Sequence, residues 1–117
     1  MPINNVLAGV AVRNLDAAQR WYEQVLAAPG SRPMNEVVEW TLAGGGALQV
    51  FEDADRAGKS SITLAVSDLD AQIAALDQAK IQIGKRSASD AVKIAIVEDP
   101  DGNRIVFAEA HSPTLAK

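Results

Sequence analysis

Few side chains in this sequence combine the residue type and spacing that catalysis requires. His111 is the single histidine and cysteine is absent, which excludes multi-histidine and thiolate metal sites and a cysteine nucleophile together. Ser61 and Thr63 stand two apart on a β-branched run, so their hydroxyls share one face of a strand. As nucleophiles they would need an adjacent base, and no histidine is available to supply it; they read as hydrogen-bond donors. A carboxylate held in a partly apolar hollow can act as a general base, so Glu52 and Arg104 are candidates for acid-base work only if the strands that carry them enclose one. The plainer reading, a rim ion pair or two charges turned to solvent at strand ends, carries more weight. Asp99-Pro100-Asp101-Gly102-Asn103 lacks the acidic spacing and the closing bidentate Glu of a calcium loop and reads as a turn. Gly44-Gly45-Gly46 has no helix after it to complete a phosphate or dinucleotide loop and also reads as a turn.

These residues must be positioned by strands and helices in a particular order. Residues 5–12 form a β-branched run, and Asn14 is placed to cap a helix bearing Leu15, Ala18, Tyr22, Val25 and Leu26 on one face. Residues 37–42 and 47–51 read as a hairpin around the glycine triplet. After a polar loop at 54–59, residues 60–66 form a second β-branched run. Ser67 or Asp68 then caps a helix carrying Leu69, Ile73 and Leu76. Residues 81–83, 91–97 and 104–108 read as further strands, and the tail 111–117, with His111, as loose.

The chain has 117 residues, 48% apolar and 22% charged, which suits one domain over 1–117 with a core burying roughly 65% of its unfolded surface. Eleven basic residues against fifteen acidic ones give a net charge of −4, the wrong sign for a broad basic face toward nucleic acid or an anionic membrane. No apolar run approaches the length of a membrane span, and no leader is visible. The expectation is a cytoplasmic protein with no nucleic-acid and no membrane partner.

The two halves repeat. Shifted by 54 positions, Ala11, Val12, Leu15, Asp16, Ala17, Gln24 and Gly30 fall on Ala65, Val66, Leu69, Asp70, Ala71, Gln78 and Gly84. The repeat is densest at the strand-to-helix junction, as expected for a duplicated unit. The junction from Val10 to Leu26, its echo from Leu64 to Asp70, and the turn and strand from Asp99 to Ile105 together resemble the vicinal oxygen chelate superfamily of glyoxalases, bleomycin-resistance proteins and extradiol dioxygenases. The resemblance spans residues 3–109.

That resemblance implies an α+β fold: two βαβββ modules, about 3–53 and 60–109, forming a curved mixed sheet around a cavity, with helices on the convex side and usually a homodimer. Strand parity then assigns faces. The expected lining is Leu7, Gly9 and Ala11 on the first strand; Leu48, Val50 and Glu52 on the hairpin strand, with Phe51 behind; Ser61, Thr63 and Ala65; and Arg104, Val106 and Ala108. Trp40 would flank the cavity mouth, where an indole could stack on a planar ligand or a cation; burial or packing at a dimer contact fits equally well.

Metal-dependent members of the superfamily place His, Glu or Gln on four lining strands, and the matching positions here are expected at Leu7, Val50, Ser61 and Val106. Three of these cannot coordinate an ion and a neutral hydroxyl is a poor fourth. The resemblance therefore implies the fold without the metal chemistry. The expected activity is metal-free, cofactor-free binding of a small aromatic or amphipathic molecule, with Leu7, Trp40, Leu48, Val50, Ser61, Thr63, Arg104 and Val106 as the ligand-binding set. The acidic balance favours a cationic ligand. The alternative is a lyase or dioxygenase-type enzyme using Glu52 and Arg104, or a metal held by other ligands.

Overall fold

A computed structural model describes residues 2–110. The elements run β1 (Leu7–Val12), α1 (Leu15–Leu26), β2 (Ser31–Met34), β3 (Val37–Thr41), β4 (Ala47–Glu52), β5 (Ser61–Ala65), α2 (Leu69–Gln78), β6 (Lys85–Ala88), β7 (Val92–Glu98) and β8 (Arg104–Ala110). The order is β-α-β-β-β twice, an α+β fold. Each module makes a four-stranded mixed sheet, β1-β4-β3-β2 and β5-β8-β7-β6, in which the first strand runs parallel to the last. Residues 111–117, including His111 and the expected loose tail, lie outside the described residues.

Both helices start for the same local reason. The extended Asn14 and Asp68 accept hydrogen bonds from the amides of Ala17 and Ala71, satisfying backbone donors that a helix N-terminus otherwise leaves without partners. The apolar faces of α1 and α2 then meet in a single core that also holds Val10, Val12, Val38, Leu48, Val50, Leu64, Ile105 and Phe107.

Two elements differ from the sequence reading. β2 and β6 are fully exposed strands, Ser-Arg-Pro-Met and Lys-Arg-Ser-Ala, with no apolar alternation. Each is a sheet edge, where one ladder of bonds suffices and Pro33 is tolerated. Ile81 and Ile83, expected on a strand, instead pack against the core from irregular chain preceding β6. Their spacing reflects anchoring at two points.

The modules are held together by a buried polar junction. Tyr22 on α1 donates to Asp99 Oδ2 at 2.7 Å, and Asn103 Nδ2 donates to the same oxygen at 2.8 Å. The amides of Asp101 and Asn103 donate to Asp99 Oδ1, so the carboxylate is fully engaged. Asn103 also donates to the Ala11 carbonyl and accepts from the Ser60 amide, linking the ends of β1 and β5. The Asp99–Asn103 segment is a turn, as expected, and it also joins the two modules.

Burial, followed by the charge of Asp99, pushes the Tyr22 phenol far above its usual range. The unfolded chain releases this proton near pH 10 while the folded chain keeps it. The associated stability is therefore complete below pH 10 and falls by about 1.4 kcal/mol per pH unit above it. The sequence has one tyrosine, so tyrosinate absorbance reports Tyr22 alone. The folded protein is expected to show none through pH 11, and Tyr22→Phe to remove the alkaline slope in stability. A normal titration near pH 10 in the folded state would contradict this burial.

Candidate functional site

Partners in register on neighbouring strands share a face. In the first module Val10 pairs Val50, which pairs Val38; Leu48 pairs Trp40. All five are buried, and this is the face that α1 covers. The opposite, open face carries Leu7, Gly9, Ala47, Gln49 and Phe51. A Cβ on Gly9 would stand 3.3 Å from the Phe51 ring, so the absence of a side chain there leaves room for the aromatic. In the second module Ile62, Leu64, Ile105 and Phe107 pack inward, and Ser61, Thr63, Arg104, Val106, Ile96 and Glu98 share the open face.

The structure corrects four expected lining residues. Leu48 and Val50 are completely buried under α1. Trp40 is 4% exposed, and its indole N–H donates to the Ala28 carbonyl at 3.0 Å. Glu52 also faces the helix side, where its carboxylate accepts from the Leu15 amide at 3.1 Å. Glu109 does the same for the Leu69 amide at 2.8 Å, so each module caps its own helix with a glutamate from its last strand. A carboxylate engaged with a helix N-terminus is favoured by the helix dipole and points away from the open face. Glu52 and Arg104 are not brought together. Glu52→Ala is expected to cost about 1 kcal/mol of stability, read by urea unfolding, and to leave ligand binding unchanged.

The paired glutamates also correct the register between modules. β1 and β5 superimpose with a shift of 54, as Leu7 pairs Ala47 where Ser61 pairs Arg104. The last strands therefore superimpose with a shift of 57, which sets Glu52 on Glu109 and Gln49 on Val106. The position expected at Val50 is Gln49, whose side-chain amide donates to Glu39 at 2.8 Å. That signal was present in the sequence as a second glutamate at the same place in the repeat. Phe51, expected behind the sheet, is on the open face, with the Arg56 guanidinium 5.3 Å from its ring centre.

With this register the four superfamily metal positions hold Leu7, Gln49, Ser61 and Val106. Two hydrocarbon side chains, an amide and a hydroxyl supply no negative charge to offset a divalent ion, and the set does not fit one. Among the described residues no group of three or more His, Cys, Asp or Glu is placed to hold a metal. Nor do the four positions converge within one chain. Ala11 meets Ser60 at one end of the β1–β5 pair, while the Leu42–Gly46 turn meets Ala65–Ser67 at the other. The two strands run in opposite directions, and Leu7 lies four residues, roughly 13 Å, along the strand from Ala11 and the neighbouring Ser61.

A cavity of about 850 Å³ opens on the face of the second module, lined by Lys59, Ser61, Lys85, Ile96, Glu98 and Arg104. A second, of about 430 Å³, lies between the glycine turn and Thr63–Ser67. Ser61 and Arg104 thus share a cavity, Thr63 lines the other, and Leu7 is 45% exposed and lines neither. No helix among the described residues is long and apolar enough to cross a membrane.

Two βαβββ modules with helices on one face and open faces on the other define a class of fold shared with known proteins. The chain belongs to the glyoxalase/bleomycin resistance protein/dioxygenase superfamily, whose family model matches residues 3–107. It is similar to a glyoxalase/bleomycin resistance protein from Catenulispora acidiphila, at 33% identity over 92% of this chain and 98% of that one, with a TM-score of 0.84. An antibiotic-binding protein from Streptomyces sp. CB03234 shares the fold at 21% identity and a TM-score of 0.80, over 94% and 98% of the two chains. A bleomycin resistance determinant encoded on the transposon Tn5 shares it at 16% identity and a TM-score of 0.77, over 94% and 100%. No curated protein matches the chain.

Proposed function

We propose that this protein binds a small aromatic or amphipathic molecule on its open sheet faces and acts by sequestering it. The observation that carries this reading is an open cavity of about 850 Å³ beside a set of superfamily positions without metal-binding chemistry. Affinity comes from burying the ligand's apolar surface and satisfying a few polar groups, with no bond made or broken. Ser61, Thr63, Arg104 and Val106 from one module and Leu7, Gln49 and Phe51 from the other supply the contacts. The antibiotic-binding and bleomycin-resistance relatives support binding as a role that this fold performs. The protein works as a cytoplasmic homodimer in this reading, since a second copy could bring Leu7 of one chain to Ser61 of the other.

A thermal-shift screen of dyes, antibiotics and aromatic metabolites tests the proposal. A ligand at a hundred times its Kd adds about 2.7 kcal/mol, an increase of roughly 10 °C in Tm for a chain of this size. The bound compound is expected to be recovered unchanged. Turnover of a thioester or hemithioacetal with no stabilising ligand, or stoichiometric Ni, Zn, Fe or Mn in the purified protein, would overturn the reading.

A further inference from the structure

The chain's overall charge of −4 points to a cationic ligand, yet the larger cavity carries charge of the opposite sign. Lys59, Lys85 and Arg104 line it together with the carboxylates Glu98 and Asp99. Asp99 is not available to a ligand, because it is 4% exposed and its oxygens accept from Tyr22, Asn103 and two backbone amides. Three cations therefore face one unengaged carboxylate. Glu98 is opposite Arg104 in register. Among the described residues, however, neither Arg104 nor Lys85 forms an ion pair. Lys59 donates to the Asp55 carbonyl, which leaves its charge uncompensated.

The geometry points to an anionic group, a carboxylate, sulfonate or phosphate, as the polar end of the ligand, held by Arg104 and Lys85. This rests on the binding reading and gives it a ligand class. Arg104 pairs Ser61 on one side and Glu98 on the other, and Lys85 pairs Ile96. The two cations start on one face two strands apart and two residues out of step. That separation is roughly 12 Å, which two long side chains close around a single anion. Arg104 offers a planar fork and Lys85 a mobile point charge, and the Ser61 hydroxyl adds a donor beside them. Next along the same face Ile96 pairs Val106 and Ile94 pairs Ala108, an apolar floor for the body of the ligand. Polar grip and apolar floor are continuous, so the fitting molecule is an amphipathic anion.

A pair of fluorescent probes with the same aromatic rings separates this inference from the binding reading. Anilinonaphthalene sulfonate carries the anion and N-phenylnaphthylamine does not. The folded protein is expected to bind the sulfonate roughly tenfold or more tightly than the amine, as charge-assisted hydrogen bonds would provide. Lys85→Gln with Arg104→Gln, both at exposed positions, is expected to leave Tm unchanged and to remove that preference by weakening the sulfonate roughly tenfold more than the amine; Glu98→Gln is expected to increase it. Equal binding of the two probes, unaffected by the double substitution, would overturn the anion site while leaving the binding reading intact. Binding of neither probe would overturn both.

Discussion

Asn103→Ala is expected to lower Tm by roughly 10–15 °C, a large loss for a single polar side chain. Asn103 is completely buried and uses its amide in three directions: toward Ala11 in the first module, the Ser60 amide in the second, and Asp99 between them. Truncation leaves a buried carbonyl and a part-buried amide without this partner, at about 1–3 kcal/mol for the first and less for the second, and takes one donor from a buried carboxylate. The sum is on the order of 3 kcal/mol, which at this chain length gives the stated fall in Tm. Calorimetric melting of the variant checks it. A loss under about 1 kcal/mol would mean that water restores these bonds and that the junction does not hold the modules. The neighbouring Arg13–Asp101 ion pair, at 3.4 Å with the arginine largely exposed, provides the contrast: Asp101→Asn is expected to cost no more than about 1 kcal/mol.

The second large effect distinguishes two adjacent residues on β4. Leu48→Ala is expected to cost about 2–5 kcal/mol in urea unfolding, because it opens a cavity beneath α1 where the side chain is completely buried. Gln49→Ala, on the open face, is expected to cost under about 1 kcal/mol and to affect ligand affinity instead. Had Leu48 lined the cavity, these outcomes would be reversed: its truncation would weaken binding and leave stability nearly intact. Measuring stability and probe binding for both variants tests the face assignment directly.

The faces of β5 and β8 were legible because their patterns are clean. Ile62 and Leu64 alternate with Ser61, Thr63 and Ala65, and Ile105 and Phe107 with Arg104, Val106 and Ala108. β4 was not, because Leu48, Val50 and Phe51 put large apolar residues on both faces and parity alone admits either orientation. The parallel pairing with β1, together with the Phe51 ring lying over Gly9, decides it. Trp40 and Glu52 were misplaced with that strand, since one slip in parity transfers a whole set of side chains to the other side of the sheet.

From the sequence by itself follow the duplicated module, the α+β class, the superfamily and the two capped helices. The module and the caps are written in local spacing or in the comparison of one half with the other, the superfamily and its α+β class in the resemblance of short motifs to a known family, and none of them needs a long-range contact to be read. The tertiary structure alone decided which face of β4 meets the helix, that Asp99 and Asn103 join the modules, and that an acidic chain presents basic side chains to the cavity on its second module. These depend on pairings between residues far apart in the chain, and a strand's own alternation cannot say what will stand opposite either of its faces.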